Sequence, residues 1–264
     1  MKVGIIGSRG VVGSACRVGF SKLGHQVLEH DLTLETDIQD ILDSDICFIC
    51  VPTPSAEDGT CDISIVENCI DELQDLNYDG VVSIKSTVPP GTTESIRNVT
   101  TLNICFVPEF LRERCALTDF VEMHDLLAIG TDDTETFELI KELHGSYPKN
   151  VVQLTPTEAE FLKYYSNCFN AMKIIFANEF FEVCNHLGAD YQKVKNAYIL
   201  RGMAKDVYLD VNDSWRGYAG VCLPKDVNAM KSLVNKLELD VNLFKFLDDE
   251  NKKFKPTVPE GMRL

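Results

Sequence analysis

The sequence predicts an α/β protein in which a doubly wound, mainly parallel sheet precedes an all-helical domain with one long central helix. Apolar strand-like runs alternate with helical segments up to residue 154. From residue 155 onward the pattern is helical, and it opens with one unusually long helix. We therefore place a sheet domain at residues 1–154, a helical domain at 155–250 and a tail at 251–264.

The first βαβ unit is predicted by a glycine turn between an apolar strand and a helix. The turn "GSRGVVG" carries Gly7, Gly10 and Gly13, and a second strand ends at Asp31. Such a turn presents backbone N–H groups and a helix amino terminus to a pyrophosphate, as in Rossmann-like domains. A carboxylate at Asp31 can bind ribose hydroxyls and repels a 2′-phosphate, which favours NAD over NADP. A tight turn without a ligand is the alternative.

Five further strands follow the first two. They are predicted at residues 45–51, 81–85, 104–107, 126–129 and 151–154.

The long helix is predicted from residue 156 to 187. Thr155 and Glu158 form a capping box around Pro156, and Gly188 stops the helix. Phe, Ile and Met occur on more than one of its faces, so we expect a domain spine that also forms a homodimer interface. Shorter helices are predicted at about 190–203 and 225–237.

The composition excludes several classes of function. The formal net charge of −16 gives no electrostatic footprint for nucleic acid or an anionic membrane surface. No apolar run is long enough to span a bilayer, and we expect a soluble, cytoplasmic protein. The ten cysteines lack the spacing of a disulfide framework, and a C-x-x-C at Cys47 and Cys50 falls in a strand-like run. Most cysteines are therefore predicted to be reduced core residues, and no metal site is expected.

Polar residues at three places suggest a site. Lys163 and Asn167 lie four residues apart on the long helix and so share a face. The segments at 85–93 and 107–114 follow strands, and the second offers Glu109 and Glu113. Each group has an ordinary alternative, since a helical lysine often reaches solvent and a lone carboxylate is usually a surface group.

Five motifs in order resemble those of the UDP-glucose/GDP-mannose dehydrogenases. They are "VPTP" (51–54), "KSTVPPGTT" (85–93), "VPEFLRE" (107–113), "EFLKYYSNCFNAMKIIFANE" (160–179) and "GYAGVCLPKD" (217–226). The resemblance implies oxidation of a nucleotide sugar's C6 alcohol to a carboxylate with two NAD. It also implies a thiohemiacetal and a thioester on a cysteine.

The resemblance assigns roles residue by residue. It makes Cys222 the nucleophile and implies that Lys163 stabilises the oxyanion intermediates. Asn167 and Asp226 would position water and assist proton transfer. Glu109 is a base candidate for hydrolysis, and Thr87 borders substrate and nicotinamide. The implied cofactor contacts are Gly7, Gly10, Val11, Val12, Gly13, Asp31, Thr53, Thr87, Glu113 and Lys225. The implied substrate contacts are Glu109, Phe110, Leu111, Lys163, Asn167, Tyr218 and Gly220.

The chain also departs from the family pattern. Full-length relatives continue into a third domain that closes over the nucleotide, whereas this sequence stops at residue 264, just after a segment that resembles the linker helix. The stretch after Asp31 is short, and Ala219 replaces a usual glycine. Three interpretations follow: a minimal dehydrogenase whose dimer or a separate chain supplies the missing contacts, an enzyme for a different, smaller sugar, or a protein that binds cofactor and partner without turnover.

Two rival classes stay open. Two-domain β-hydroxyacid dehydrogenases also join such a sheet domain to a long helix and use a helical lysine and asparagine, without a cysteine. A sensing or scaffolding protein would hold NAD as a structural ligand. The "CLPKD" motif at 222–226 favours the nucleotide-sugar enzyme over both.

Overall fold

The computed structural model describes residues 1–257, and the last part of the expected tail, 258–264, lies outside the described residues. The chain forms two compact units. The first comprises Met1–Pro54 and Asp62–Lys163, and the second comprises Ser55–Cys61 and Tyr164–Leu264.

A seven-stranded sheet forms the centre of the first unit. Its spatial order is β2-β1-β3-β4-β5-β6-β7, and every neighbouring pair is parallel except β5 and β6. The strands are β1 Lys2–Ile6, β2 Gln26–His30, β3 Ile46–Ile49, β4 Val81–Ile84, β5 Asn103–Phe106, β6 Leu127–Gly130 and β7 Val151–Leu154. The predicted mainly parallel α/β sheet is confirmed.

Helices cover both faces of the sheet. Within the first unit they are α1 Val11–Lys22, α2 Ser64–Asp75, α3 Thr92–Arg97, α4 Ala116–Val121 and α5 Thr134–His144. Strand β3 shows why two layers are needed: Cys47 and Ile49 belong to one apolar cluster, Ile46 and Phe48 to the other, and all four are fully buried. Only a short 3-10 helix, Ile38–Ile41, lies between β2 and β3.

The long helix α6 runs from Pro156 to His186, which confirms the predicted span within one residue at its end. Its capping box forms as predicted, because Thr155 N donates to Glu158 Oε2 at 2.8 Å and Glu158 N donates to Thr155 Oγ1 at 3.3 Å. The chain leaves the helix through Gly188, whose φ is +70°.

As far as residue 257, the second unit contains the rest of α6 and three further helices. These are α7 Tyr191–Ile199, α8 Leu223–Lys236 and α9 Leu243–Asn251. Helix α7 ends before the predicted residue 203, since the chain turns at Gly202 with φ of +71°. Helix α8 packs against α9, and a small apolar cluster joins Ala177 and Phe181 to Tyr191. Within the described residues, no helix has the length and apolarity to span a membrane.

Two neighbouring histidines of the first unit, His144 and His124, lie among aromatic rings, and His124 is only partly buried. His144 is fully buried among Phe20, Phe48 and Phe120, with Nδ1 2.8 Å from the Ile140 carbonyl oxygen. Burial lowers the pKa of His144 well below its usual value, and burial also lowers the pKa of His124 to about 4. Both rings are therefore neutral in the folded protein at neutral pH.

These histidines predict acid sensitivity of the fold. In the unfolded chain a histidine binds a proton below about pH 6.5, whereas His144 stays neutral in the fold. The contribution of neutral His144 to the free energy of unfolding is therefore fully present above about pH 6.5. It decreases as the pH falls below that value, by up to about 1.4 kcal/mol per pH unit for one ring. We expect His144→Phe to reduce the drop in thermal unfolding midpoint between about pH 7 and about pH 5. His186→Phe, at an exposed position, should leave that drop unchanged, and equal slopes in wild type and His144→Phe would contradict the assignment.

Candidate active site

The glycine turn is closed by contacts that leave no room for side chains. Gly7 has φ of +82°, and its N–H donates to the His30 carbonyl at 2.9 Å. A Cβ on Gly13 would lie 2.1 Å from Gly7 O, so α1 can approach the turn only with glycine there. No side chain caps α1 at Gly10. The first N–H groups of the helix therefore suit an anion.

Asp31 follows β2 directly and is held in place by three donors. Its carboxylate accepts hydrogen bonds from Arg9 N at 2.9 Å, Thr33 N at 2.9 Å and Thr33 Oγ1 at 2.7 Å. Desolvation pushes the Asp31 pKa up, but the hydrogen bonds from Thr33 and Arg9 outweigh it and lower the pKa overall. Asp31 is thus ionised at neutral pH. An ionised carboxylate can accept hydrogen bonds from the ribose hydroxyls of NAD, and it would repel the 2′-phosphate of NADP.

A cleft of about 380 Å³ lies beside α1. It brings Val11 and Glu113, two of the predicted cofactor contacts, into one lining together with Ser14 and Cys115. Val11 and Val12 both pack against the apolar cluster that contains Phe20 and Phe48. The turn, the Asp31 carboxylate and this cleft together fit a dinucleotide, so the residues present are suited to NAD.

The loops after β3 and β4 are joined by threonine. Thr53 Oγ1 donates to the Thr87 carbonyl at 2.8 Å, and Ser86 Oγ donates to the Val51 carbonyl at 2.7 Å. Two of the predicted site residues are therefore neighbours at the carboxyl edge of the sheet, where ligands of open α/β sheets bind.

Lys163 and Glu109 form a buried ion pair. Lys163 Nζ lies 2.7 Å from Glu109 Oε1 and donates to the Glu109 carbonyl at 2.6 Å, and the two side chains are 5% and 12% exposed. Leu111 N donates to Glu109 Oε2 at 2.7 Å, and the Phe110 ring lies 5.8 Å from Nζ. Burial favours the neutral acid, but the Lys163 ammonium outweighs it and lowers the pKa of Glu109 overall. The structure thus brings four predicted residues together.

Glu160 was not predicted as a site residue. It is fully buried on α6 and accepts from Gly91 N at 2.6 Å, Thr93 N at 2.8 Å and Thr93 Oγ1 at 2.6 Å. It therefore fixes the loop that carries Thr87 to the start of α6. The sequence signal was its place three residues before Lys163, in a stretch otherwise rich in apolar groups.

In the second unit, Cys222 lies at the amino end of α8. It is the N-cap residue, and Asp226 N donates to its carbonyl at 3.0 Å. All ten cysteines fall within the described residues, and Cys222 is the one that is exposed. The thiol that the motif singles out is thus also the most accessible.

Asp226 is buried between two polar partners. Asn167 Nδ2 donates to Asp226 Oδ2 at 2.6 Å, and Lys225 Nζ lies 2.8 Å from Asp226 Oδ1. Asp226 is 1% exposed and Asn167 is 8% exposed. Three predicted residues are therefore in one cluster, one turn into the helix that Cys222 begins.

The loop before Cys222 contains the other predicted residues of this unit. Gly220 has φ of +78°, a backbone conformation that suits glycine. The Tyr218 side chain is 3% exposed and its hydroxyl donates to the Leu247 carbonyl at 3.1 Å. Tyr218 therefore offers its ring to the interior of this unit. No group of three or more His, Cys, Asp or Glu within residues 1–257 is arranged to hold a metal ion.

Comparison with known proteins identifies what these features belong to. The features described above define an NAD-binding α/β unit followed by a helical unit with an exposed cysteine. The model of the UDP-glucose/GDP-mannose dehydrogenase family, NAD binding domain, matches residues 26–147, and that of its central domain matches 157–253. The chain belongs to the UDP-glucose/GDP-mannose dehydrogenase family, and NAD is its cofactor.

Individual relatives agree with this. A UDP-glucose 6-dehydrogenase of Rickettsia bellii is 32% identical over 239 residues, which are 86% of this chain and 54% of the relative. The chain therefore spans about half the length of that curated relative. A UDP-glucose dehydrogenase structure from Pyrobaculum islandicum has a TM-score of 0.84 at 28% identity and covers 96% of this chain and 68% of that one.

A third likeness shows the fold alone. The 3-hydroxyisobutyrate dehydrogenase of Mycobacterium tuberculosis has a TM-score of 0.75 at 14% identity and covers 96% of this chain and 93% of that chain.

The close packing at Gly13 predicts how a methyl group added there changes the affinity for NAD. We expect Gly13→Ala to weaken NAD binding about tenfold or more, because the new Cβ must displace Gly7 from the pyrophosphate turn. Titration calorimetry with NAD measures this. Ser21→Ala, at an exposed position of the same helix, serves as the control and should bind NAD like wild type. Unchanged affinity in Gly13→Ala would show that the turn does not hold the cofactor.

Proposed function

We propose that this protein oxidises the C6 alcohol of a nucleotide sugar to a carboxylate, consuming two NAD for each product. One observation carries the proposal: the exposed cysteine of the chain is the one in the "CLPKD" motif, at the amino end of α8. Family membership supports the reaction class, and the R. bellii relative that the chain resembles is a UDP-glucose 6-dehydrogenase. UDP-glucose is accordingly the first substrate to test.

Cys222 is proposed as the nucleophile. Its sulfur adds to the aldehyde formed in the first oxidation and gives a thiohemiacetal, which the second oxidation converts to a thioester. Water then cleaves the thioester, releasing the carboxylate and the free thiol. The covalent bond keeps the aldehyde from leaving between the two oxidations. NAD, when bound, accepts a hydride in each of them.

Lys163 and Glu109 are proposed to act on oxygen atoms. The Lys163 ammonium stabilises the negative oxygen that develops at C6 in the intermediates. Glu109, an ionised carboxylate beside it, is a base candidate for the water of the hydrolytic step. Because Glu109 accepts from Lys163 and from Leu111 N, its carboxylate is held in one orientation. Phe110 and Leu111 are proposed to border the sugar.

Asn167 and Asp226 are proposed to position water and to assist proton transfer. Their 2.6 Å hydrogen bond fixes the Asn167 amide, and the Lys225 ammonium forms an ion pair with the other Asp226 oxygen at 2.8 Å. Thr53, Thr87, Glu113 and Lys225 are proposed as further cofactor contacts. The backbone of Tyr218 and Gly220 is proposed to approach the sugar, since the Tyr218 ring is buried.

The experiments also distinguish three other interpretations. These are a dehydrogenase completed by its own dimer or by a separate chain, an enzyme for a smaller sugar, and a protein that binds NAD without turnover. The β-hydroxyacid dehydrogenase alternative also remains, and it needs no cysteine.

The thiol gives the decisive test. With UDP-glucose, GDP-mannose and UDP-N-acetylhexosamines as the panel, we expect one substrate to yield two NADH for each carboxylate. NADH absorbance and product mass measure this. Cys222→Ser should lower carboxylate formation about a thousandfold or more, since the hydroxyl is a far weaker nucleophile.

The control and the outcomes separate the alternatives. Cys184→Ser, a buried cysteine of the same unit, should keep its activity. Full activity in Cys222→Ser would favour the β-hydroxyacid dehydrogenase class. If no sugar reacts while NAD binds, the catalytic proposal fails for this chain, and completion by another chain or a role without turnover is favoured.

Helix α6 is also proposed to form a homodimer interface. Large apolar side chains recur along one of its faces at intervals of three, four and seven residues. Within the second unit these are Phe169, Phe176, Phe180 and Val183, and Leu187, directly after the helix, continues the row; all are between 45% and 75% exposed. A row of this size on a monomer would be a large apolar patch, which a second copy of the helix would cover.

The dimer has its own test. We expect wild type to elute as a dimer at micromolar concentration and Phe176→Glu/Val183→Glu to elute as a monomer, because burying two carboxylates in an apolar interface is unfavourable. Size-exclusion chromatography with light scattering measures the mass. Asn185→Glu lies on the opposite side of α6, is exposed, and should stay dimeric. A monomeric wild type would contradict the proposal.

A further inference from the structure

The segment that follows helix α9 binds the loop that leads to Cys222. We call residues 251–257 the clasp and residues 214–218 the loop base. Asn251 is the last residue of α9, and its side chain makes two hydrogen bonds to the backbone of one residue. Its Oδ1 accepts from Tyr218 N at 2.8 Å and its Nδ2 donates to Tyr218 O at 2.9 Å. One side chain thus satisfies both polar backbone groups of a buried residue.

The other end of the clasp makes a similar connection. Thr257 N donates to the Arg216 carbonyl at 3.0 Å, and Arg216 N donates to Thr257 Oγ1 at 3.3 Å. The same hydroxyl donates to the Ser214 carbonyl at 3.0 Å. The loop base is therefore bonded to the clasp at both of its ends.

Arg216 connects the clasp to α6. Its guanidinium carbon lies 5.0 Å from the ring centroid of Phe181 and 5.0 Å from that of Phe254, which belongs to the clasp. Nε donates to Asn178 Oδ1 at 2.9 Å, and a terminal nitrogen pairs with Glu182. A planar guanidinium that contacts two aromatic rings and two polar groups is held in place better than a lysine ammonium would be.

Glycine at position 217 allows the clasp to come this close. Gly217 has φ of +57°, and a Cβ there would lie 2.8 Å from Asn251 Oδ1. Its N–H donates to Asn178 Oδ1 at 3.2 Å. The backbone from 216 to 218 is thus bonded to α6 and to the clasp, whereas Cys222, four residues further on, is the N-cap of α8.

We propose that Asn251 is a positioning residue for Cys222: by holding Tyr218, it fixes one end of the short loop whose other end is the thiol. The segment from 219 to 222 connects Tyr218, which Asn251 holds, to the start of α8. The position of Cys222 at the amino end of α8 therefore depends on both of these points. Backbone N–H groups at a helix amino terminus favour a thiolate, and this benefit falls off within the first turn. A loop released at Tyr218 lets the sulfur leave that position. The inference rests on the proposed function only where it concerns turnover.

Alkylation of the thiol tests the proposal without any sugar. The probe is iodoacetamide, and mass spectrometry of peptides reports the rate at Cys222, the exposed cysteine. We expect Asn251→Ala to slow alkylation at neutral pH about two- to fivefold. We also expect the rate profile to move to higher pH. A profile that coincides with wild type would overturn the proposal.

Two further variants keep the test decisive. Asn242 directly precedes the first residue of the same helix, and its exposed side chain donates to Asp240 Oδ1, away from the loop base. Asn242→Ala should match wild type, and an equal shift in this variant would also overturn the proposal. Arg216→Lys keeps the charge and loses the stacking, so a smaller shift in the same direction is expected. If circular dichroism shows that Asn251→Ala does not fold, Arg216→Lys decides by the same criterion.

Turnover distinguishes this inference from the proposed function. If wild type oxidises no sugar but Asn251→Ala still moves the alkylation profile, the catalytic proposal fails and the positioning role stands. If wild type is active and the profile does not move, the positioning role alone fails. In an active enzyme we expect Asn251→Ala to lower kcat and to leave NAD affinity unchanged.

Discussion

The buried pair of Lys163 and Glu109 is the interaction on which the arrangement of the first unit's loops depends. Neither charge would be tolerated alone at this buried position, since a buried ion without a partner is strongly destabilising. The pair therefore connects the loop after β5 to α6. Removing either residue would leave the other charge buried without its partner. Glu160, one turn earlier, ties the loop after β4 to the same helix. Two loops at the carboxyl edge of the sheet thus take their positions from the first turns of α6.

The fold could be predicted because its signals are local. The glycine turn, the apolar runs and the capping box at Thr155 each lie within a few residues of the element that they define. Strand β3 is buried on both faces and is therefore apolar at every position, which predicts a covered sheet without any knowledge of its neighbours. The division at residues 154 and 155 stays a prediction, as do the roles of the site residues.

The contacts that organise the site could not be predicted, because their partners are far apart in sequence. Glu160 is 67 residues from Thr93, and Asn251 is 33 residues from Tyr218. No periodic pattern marks either residue, since an acidic residue near a helix start and an asparagine at a helix end are both common surface groups. Their significance comes from burial and from the backbone groups that they satisfy, which only the folded chain shows.

Ten cysteines in one chain make the choice of nucleophile a question of environment. Burial raises the pKa of Cys69 to about 11 and that of Cys105 and Cys168 to about 12, so these thiols stay protonated at neutral pH. A protonated, buried thiol is a poor nucleophile and behaves as a small apolar side chain. Cys222 differs by its exposure and by its place at a helix start. The fold thus exposes the Cys222 thiol more than the other nine, and the contacts at Tyr218 hold the loop that leads to it.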